Sequence, residues 1–510
     1  MKKRLTPSLY LYLCVTTLLA LASINCGSGS MGSLPAAAVA ATQHPLVAEY
    51  DVTVLRPGGT AWVEFGTDTN YGRQTSPSAP TTNVRQTIRV LVAGMKANTT
   101  YHMRAHVDFG DGGGWMDQDR TFQTGALTTT GLVPPQIVVT RPTPDLKPSA
   151  GVELVDCLVP TTPNLIQSFV TDLDGNIIWY FPGTTFPIKP LPNGHFLVNE
   201  SFDLREIDLA GNSIRVVNMV QVNQSLKAAG QSYSIIGFHH DFLVLPNGHW
   251  IGLANIFKKF TDLPGHPGVT NVLGDVLVDI DEAGQVVWAW SGFDHFDINR
   301  HPLGLAPFNG GADWTHANAL DYTADGNLLL SMRNQSWIVK IDYENGAGSG
   351  DILWRLGYQG DFTLAGGDPR DWFYAQHNPN IISSTGSQTT LSIWDNGNLR
   401  VQPDGNTCGS AVPCYSRPTV FQIDEDAKTA ELLWQDFPGL FSFWGGSVES
   451  LNNGNVEFDL TAAFTTPTSR VLEVTQTEPP QTLWQLDLTG EYAYRAYRIP
   501  SLYPGVTWEK

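Results

Sequence analysis

Four histidines stand in three short motifs that open strand-like segments at comparable points of a repeating pattern. His239 and His240 lie in GFHHDFLVLPNGH, His316 in DWTHANALDY and His377 in YAQHNPNIISSTG, and Arg333 follows His316 in LLLSMRNQSWIVKID. A neutral imidazole is a nucleophile and a general acid or base near pH 7, and a guanidinium binds anionic oxygens. If the repeats are equivalent, these groups meet and form a site for an anionic substrate.

Recurrence at one position of the repeat distinguishes these histidines, because a single histidine is more often a core or surface residue than a catalytic one. The remaining candidates lie in turns or loops and are interpreted as structural: His44, His195, His249, His266, His295 and His301. One alternative is a metal-dependent lyase or hydrolase, with three of the motif histidines as zinc or copper ligands and Asp241 behind them. Arg333 argues against this, because a guanidinium beside a divalent cation is unfavourable. A non-catalytic secreted scaffold is the other alternative, since one fold hosts many functions.

Two alternating units in residues about 155–505 must position the motifs. One is Asp-x-x-Gly followed by an apolar strand that ends in Trp, as in DLDGNIIWYF and IDEAGQVVWAW, and it occurs six times. The other is a turn followed by a strand, as in LPNGHFLV and TADGNLLLS. Asn-Gly and Asp-Gly between apolar runs are hairpin signals, and a recurring four-stranded unit is typical of β-propellers. The pattern predicts an all-β chain with a six-bladed β-propeller.

A smaller all-β region is predicted before the propeller. Residues about 46–126 alternate between apolar and polar positions in short runs that Gly, Pro and Asn turns separate. The stretch LVAGMKANTTYHMRAHV resembles a fibronectin type III-like β-sandwich, with Tyr101 where such domains place a corner tyrosine. The Pro-rich residues 131–151 are interpreted as a linker between the two regions.

The start of the chain is typical of an exported protein. A basic MKKR precedes a short apolar run, so residues 1–25 are interpreted as a secretory signal rather than a membrane span. Cys26, followed by GSGS, resembles a lipoprotein processing site, and cleavage within the Ala-rich residues 36–41 is the alternative. We expect a periplasmic location, with a lipid anchor to the membrane if Cys26 is processed.

The cysteines predict a disulfide, and the net charge excludes one class of binding partner. In an oxidising compartment, the spacing of Cys408 and Cys414 in CGSAVPC predicts a disulfide, which leaves Cys157 unpaired. The 510-residue chain has 30 basic and 49 acidic residues, a net charge of −19. Such a surface repels phosphate backbones, so nucleic acid is excluded as a partner.

The motifs also carry a family resemblance. HHDFLVLPNG, DWTHANALDY, SMRNQSWIVKID, ILWRLG and QHNP, in this order and spacing, resemble the PAPS-independent bacterial arylsulfotransferases. The resemblance implies a six-bladed propeller behind a small β-sandwich. It implies transfer of a sulfuryl group from an aryl sulfate to a phenolic acceptor by a ping-pong mechanism, through a sulfated histidine. No cofactor is implied, and both partners are small molecules.

The resemblance also implies roles by position. His377 is the nucleophile, and His316, with Asn318 two residues further on, is a second site histidine. The leaving phenolate needs a proton and the acceptor phenol must lose one, and either His316 or the histidine of the HHD motif can do both in turn. The HHD motif supplies another histidine. Comparison with His316 and Asn318 favours His239, whereas counting back from the LPNG turn favours His240. Because neighbouring strand residues face opposite sides, we expect only one of the two to point inwards.

Two arginines and a set of aromatic residues complete the implied site. Arg333 is expected to hold the charge on the sulfuryl oxygens. Arg417, in YSRPTVFQID, is a weaker candidate for contacting the donor oxygens, with a surface arginine as the alternative. The family's cysteine pair is represented here by Cys408 and Cys414. Candidate walls of an aromatic pocket are Trp314, Trp337, Trp372, Phe373 and Trp444.

Overall fold

The computed structural model describes residues 37–158, 162–464 and 468–509. The proposed secretory segment, residues 1–25, and Cys26 lie outside the described residues, so both remain expectations. The described chain is all-β. Its helices are the α-helix Met219–Ala228 and the short 3-10 helices Leu127–Thr130, Gly292–Asp294, Arg333–Gln335, Glu344–Gly346 and Pro369–Asp371. In this part of the chain, no helix has both the length and the apolar character needed to cross a bilayer.

Two sheets that share one core form the N-terminal region. The first contains Ala37–Ala41, Ala48–Val54 and Gln86–Val92, and the second contains Thr60–Gly66, Arg73–Gln74, Thr100–Asp108, Gly114–Met116 and Arg120–Gln123. Every second residue of Ala48–Val54 is buried, as expected for a strand with one face on a core. Val52 from the first sheet packs in one cluster with Val63 and Met103 from the second.

Six further sheets follow, each built around four antiparallel strands. The first sheet contains Val152–Cys157, Ser168–Thr171, Ile177–Tyr180 and Ala493–Ile499, and the second contains Ile188–Pro190, Phe196–Asn199, Asp203–Ile207 and Ser213–Asn218. The third contains Gly237–Val244, Trp250–Leu263, His266–Ile280 and Val286–Ser291, with Pro307–Phe308 and Gly311–Asp313 added, and the fourth contains Ala317–Tyr322, Leu328–Met332, Trp337–Ile341 and Ile352–Leu356. The fifth contains His377–Thr385, Gln388–Asp395, Arg417–Asp424 and Thr429–Gln435, with Thr363–Leu364 added, and the sixth contains Val448–Ser450, Val456–Leu460, Thr468–Val474 and Thr482–Thr489, with Gln136–Thr140 added.

The ends of this region are joined by strand pairing. Val152–Cys157 pairs antiparallel with the C-terminal strand Ala493–Ile499, so the first sheet closes only when the last strand is made. Gln136–Thr140, within the predicted linker, pairs with Thr482–Thr489 of the sixth sheet. Part of the predicted linker is therefore a strand. Its β-branched residues favour the extended, half-buried conformation of a sheet.

The Trp that ends the sequence repeat links neighbouring sheets. The Nε1 atom of Trp179 in the first sheet donates to the carbonyl of Leu209 in the second, at 2.8 Å. Trp484 in the sixth sheet donates in the same way to the carbonyl of Leu173 in the first, at 2.9 Å. The acceptors belong to the Asp-x-x-Gly turns of the next sheet. These two tryptophans therefore connect the first sheet to the second and the sixth sheet to the first.

The first strands of successive sheets are tied together by buried carboxylates. Asp241 Oδ2 of the third sheet accepts the backbone N–H of Leu320 in the fourth, at 2.8 Å, and Asp321 Oδ2 accepts that of Ile381 in the fifth, at 3.2 Å. The fully buried Arg495 of the last strand lies 3.6 Å from Asp241 Oδ2. These contacts bring the strands that carry the histidine motifs side by side.

Two buried carboxyl groups are expected to make stability fall as pH rises. Burial raises the pKa of Asp156 to about 7 and that of Asp459 to about 7. The folded protein therefore retains protons that the unfolded chain has lost above about pH 4, so the free energy of unfolding decreases between about pH 4 and 7. Each proton contributes up to about 1.4 kcal/mol per pH unit. Thermal unfolding should show a lower midpoint at pH 7 than at pH 5.

The aspartate at position 156 provides the control for this pH dependence. Asp156→Asn removes one of the carboxyl groups whose pKa burial raises, which also include Glu153 and Glu449, and should flatten the decrease in the unfolding midpoint. A midpoint that rises between pH 5 and 7, or an unchanged slope in the variant, would contradict the assignment.

Candidate active site

Each histidine motif lies at an irregularity in the first strand of its sheet. His240, His316 and Asn378 have positive φ angles of 52°, 46° and 45°, and the pairing register shifts beside each of them. Bulges of this kind redirect side chains. His239 and His240 turn towards each other, with their Nδ1 atoms 2.8 Å apart. The alternation rule, which assumes a regular strand, does not apply to this segment, because the register shifts there.

The structure places His240 against His316, and one tyrosine against both His240 and His377. The ring centroids of His240 and His316 are 4.8 Å apart. The ring of Tyr494 lies 5.8 Å from that of His240 and 5.7 Å from that of His377. The sequence analysis missed Tyr494, because EYAYRAYRIP is typical of any alternating strand. His240, rather than His239, is the HHD residue that lies against His316.

The tautomer of His377 follows from its neighbours. Asn396 Nδ2 donates to the carbonyls of Ser442 and Gly445, at 2.7 and 2.9 Å, so Asn396 Oδ1 must face the histidine. His377 Nδ1 lies 2.6 Å from this oxygen and therefore carries the proton. On the other side of the ring, the Gly445 N–H donates to Nε2 over 3.3 Å. Nε2 thus holds an unprotonated lone pair with one long, weak hydrogen bond.

Burial keeps the His377 ring neutral. Only 1% of its surface is exposed. Loss of solvation, and then the positive charge of Arg333, hold its pKa well below the ordinary value for histidine. Because the neutral form carries the lone pair, a nucleophilic Nε2 is available throughout the neutral pH range.

His316 has a different partner. Its Nδ1 lies 2.6 Å from Asp313 Oδ2, on the short strand Gly311–Asp313 that precedes the motif. Burial alone would raise the pKa of Asp313, but the interactions with His316 outweigh it and lower that pKa. A carboxylate behind an imidazole orients the ring and stabilises its protonated form, as in hydrolase triads. His316 is thereby equipped to exchange protons through Nε2.

The HHD motif is anchored to a second carboxylate. His239 Nε2 lies 3.2 Å from Asp275 Oδ1. Asp275 Oδ2 accepts from the Thr315 hydroxyl and from the Ala317 N–H, both at 2.6 Å, on either side of His316. Burial, together with the charges of the neighbouring histidines, lowers the pKa of His240. Asp275 therefore holds the HHD and WTH segments in one arrangement.

Arg333 supplies the cation of the site. It directly follows the strand Leu328–Met332, and its Nη2 donates to the Phe443 carbonyl at 2.9 Å while Nη1 donates to Asn334 Oδ1 at 2.8 Å. Its Nε is buried and has no hydrogen-bond partner among the described residues. The guanidinium is therefore held beside His377 with its Nε–H donor unused.

Comparison with known families accounts for this combination of motifs and geometry. Residues 153–498 match the family described as Arylsulfotransferase (ASST). The chain belongs to this family. No curated protein matches it. Among solved structures, it is similar to a protein of unknown function from Bacteroides caccae, with 11% identity, 68% of this chain and 98% of that chain covered, and a TM-score of 0.40. The streptogramin B lyase structure has 11% identity, coverages of 69% and 98%, and a TM-score of 0.28.

Aromatic side chains flank the arylsulfotransferase histidines. The ring of Phe308 lies 5.3 Å from that of His316, and 39% of its surface is exposed. Trp444 stacks against Tyr494 at 6.4 Å, beside the largely exposed Phe443. Of the aromatic candidates from the sequence, only Trp444 is shown in contact with this cluster. The others are buried in hydrophobic clusters between and within sheets: Trp314, Trp337, Trp372 and Phe373.

Asn318 and Arg417 act within the scaffold of the arylsulfotransferase domain. Asn318 Nδ2 donates to the carbonyl of Gln376 at 2.8 Å, next to His377 in the chain. Arg417 is 1% exposed, and its Nε donates to Asp395 Oδ2 at 2.8 Å. Interpreting Arg417 as a surface residue is therefore wrong. Its guanidinium also bonds backbone carbonyls, so we do not propose it as a substrate ligand.

The cysteines agree with the prediction. Cys408 and Cys414 form a disulfide, and Cys157 is free and buried. The backbone N–H of Arg400 lies 3.2 Å from Cys408 Sγ, and Arg400 Nη2 donates to Asp395 at 2.8 Å. The disulfide loop thus braces the residue next to Asn396. Within the described residues, no three His, Cys, Asp or Glu side chains are grouped in a way that would hold a metal ion.

Proposed function

We propose that this protein transfers a sulfuryl group from an aryl sulfate to a phenol in two steps, through a sulfated His377. The observation that carries the proposal is the buried, unprotonated Nε2 of His377 beside Arg333. A nucleophile of this kind suits an anionic sulfate ester, because its neutral ring does not have to lose a proton first. Family membership supports the substrate class.

In the first step, the Nε2 lone pair attacks sulfur and the bond from sulfur to the aryl oxygen breaks. The departing phenolate takes a proton from His316, whose protonated ring Asp313 stabilises. Arg333 and the Gly445 N–H, which is released from Nε2 as the new bond forms, face the charge on the sulfuryl oxygens. The products are a phenol and an N-sulfated His377 ring.

In the second step, His316 accepts the proton of the incoming phenol. The phenol oxygen attacks sulfur, the bond from sulfur to Nε2 breaks, and the electron pair returns to His377. The exposed Phe308 and Phe443, with Trp444 and Tyr494, are aromatic surfaces against which both phenol rings pack. His240 and His239 complete the polar wall opposite His377, and Asn318 and Asp275 position the motifs.

The arrangement of the sheets supports a six-bladed propeller as the scaffold. The six four-stranded sheets are connected in chain order, and Trp484 links the sixth to the first. The strand Ala493–Ile499, which follows the sixth sheet in the chain, pairs within the first sheet. The N-terminal region is proposed to be fibronectin type III-like. The Tyr101 hydroxyl accepts the backbone N–H of Lys96 at 2.9 Å, as a corner tyrosine does. Export to the periplasm, with Cys26 as the lipid attachment point, remains part of the proposal.

The test is a two-substrate assay with p-nitrophenyl sulfate and phenol. We expect p-nitrophenol release to depend on the phenol, with parallel double-reciprocal lines, and phenyl sulfate to accumulate. A chelator should leave the rate unchanged, since every proposed step uses only groups of the protein itself. Hydrolysis without transfer, intersecting lines, or loss of activity with chelator that added zinc restores would each contradict the proposal.

A further inference from the structure

The two reacting histidines differ in what holds their Nδ1 proton. Asp313, a carboxylate, faces Nδ1 of His316, whereas Asn396, an amide, faces Nδ1 of His377, and both distances are 2.6 Å. We propose that Asn396 is a positioning residue that keeps the sulfated His377 ring cationic and therefore short-lived. This inference rests on the proposed function and adds a control on the lifetime of its intermediate.

The chemistry of the intermediate explains why an amide is suitable. After attack by Nε2, the ring carries sulfur on Nε2 and a proton on Nδ1, so it is a cation. When the sulfuryl group passes to a phenol, this ring departs as neutral imidazole, which is a good leaving group. If Nδ1 had lost its proton, the ring would have to depart as an imidazolate anion, which is a poor one. An amide oxygen accepts a hydrogen bond but does not take the proton. The sulfuryl group withdraws electrons from the ring, so the Nδ1 proton of the adduct is more acidic than that of the protonated His316 ring, and a carboxylate in contact with it can take it.

The structure leaves Asn396 no alternative orientation. Its Nδ2 is bonded to two carbonyls, those of Ser442 and Gly445, and a flipped amide would set its oxygen against both of them. Asn396 and His377 are 0% and 1% exposed, so no bulk water is in contact to remove the proton. Asp395, next in the chain, is bonded to Arg400 and Arg417 and is directed away from this pair.

Few titratable groups face this pair. Those around His377 are Arg333, His316, His240, Arg495 and Tyr494, and those beside Asn396 are Asp395, Arg400 and Arg417. The arginines disfavour a second positive charge on the ring, so the Nδ1 proton is retained only because no base is placed to receive it. An aspartate at position 396 would be such a base.

The experiment measures the lifetime of the sulfated protein in the Asn396→Asp variant between pH 5 and 9. The protein is sulfated with p-nitrophenyl sulfate, separated from the donor and mixed with phenol, and the loss of one SO₃ is followed by mass spectrometry. At low pH, a neutral aspartic acid resembles asparagine, and the lifetime should match that of the wild-type protein. As the carboxyl ionises, the lifetime should lengthen at least tenfold. The wild-type lifetime should lack this pH-dependent rise.

Asn406→Asp is the matched control, because Asn406 is an exposed residue of the same segment between the strands Gln388–Asp395 and Arg417–Asp424. It should behave as the wild-type protein at every pH. An Asn396→Asp lifetime equal to that of the wild-type protein across the range overturns the inference, even if overall turnover is reduced. Absence of any adduct in the wild-type protein would instead overturn the proposed function.

A second variant covers failure of Asn396→Asp to fold, as judged by circular dichroism. Asn396→Ala removes the acceptor that selects the Nδ1–H tautomer. Adduct formation should then slow at least tenfold, because part of the population presents a protonated Nε2 to the donor. Adduct formation at the wild-type rate in a folded Asn396→Ala variant overturns the inference.

Discussion

Replacement of His377 by alanine is expected to abolish both sulfation of the protein and release of p-nitrophenol. His377 Nε2 is a lone pair held beside Arg333, and the other nitrogen of the ring is protonated and bonded to Asn396. Within the described residues, the nearby His316 and His240 use Nδ1 in contacts with Asp313 and His239 and lie on other strands. Mass spectrometry after incubation with p-nitrophenyl sulfate alone should show one added SO₃ in the wild-type protein and none in the variant.

The pH dependence of this step is a second readout of the same residue. Because burial lowers the pKa of His377 well below the ordinary histidine value, the nucleophile is already neutral at about pH 6, and the rate of adduct formation should change little between about pH 6 and 8. His266→Ala, in the hairpin that joins Trp250–Leu263 to His266–Ile280, is the control and should retain activity. A His377→Ala protein that still acquires SO₃ would show that another residue is the nucleophile.

Replacement of His316 by alanine is expected to slow the reaction by an amount that depends on the leaving group. Phenolate from phenyl sulfate needs a proton as it departs, so loss of the acid should cost about 10²- to 10⁴-fold. p-Nitrophenolate is stable without a proton, so sulfation by p-nitrophenyl sulfate should slow by about tenfold or less. Single-turnover rates with the two donors measure the difference directly.

Asp313→Asn provides the matched test of the dyad. It keeps the shape of the side chain and removes the charge that stabilises the protonated His316 ring. The loss should again be larger for phenyl sulfate than for p-nitrophenyl sulfate. Equal losses with both donors, in either variant, would assign His316 to binding rather than to proton transfer.

The histidine motifs show which parts of the site could be predicted from the sequence and which could not. Recurrence before successive strands placed His316 and His377 together, and the motif order predicted the family. The alternation rule did not help with the HHD motif, because it assumes regular pairing. The register shifts at a left-handed His240, and the rings of His239 and His240 are in contact there. Whether a bulge forms depends on how a strand pairs with its neighbours, so the local sequence does not predict it.

The partners of the site histidines were also missed. Asn396 lies in WDNGNL, where Asn-Gly is typical of a hairpin turn, and Asp313 precedes its histidine in an otherwise unremarked segment. Tyr494 comes from the last strand of the region, more than a hundred residues after His377. These contacts join segments that are distant in the chain, and nothing local in such segments distinguishes a partner from an ordinary turn or strand residue.

The sequence by itself determined the all-β class, the family, the Cys408–Cys414 pairing and the set of histidines, because each of these is expressed in local periodicity or in short motifs. Only the tertiary structure decided the protonation and roles of those histidines. Whether His377 presents an unprotonated Nε2 depends on the amide of Asn396, which is held by carbonyls of a third segment. A side chain's proton is assigned by the groups that fold around it, and these come together only when the sheets pack.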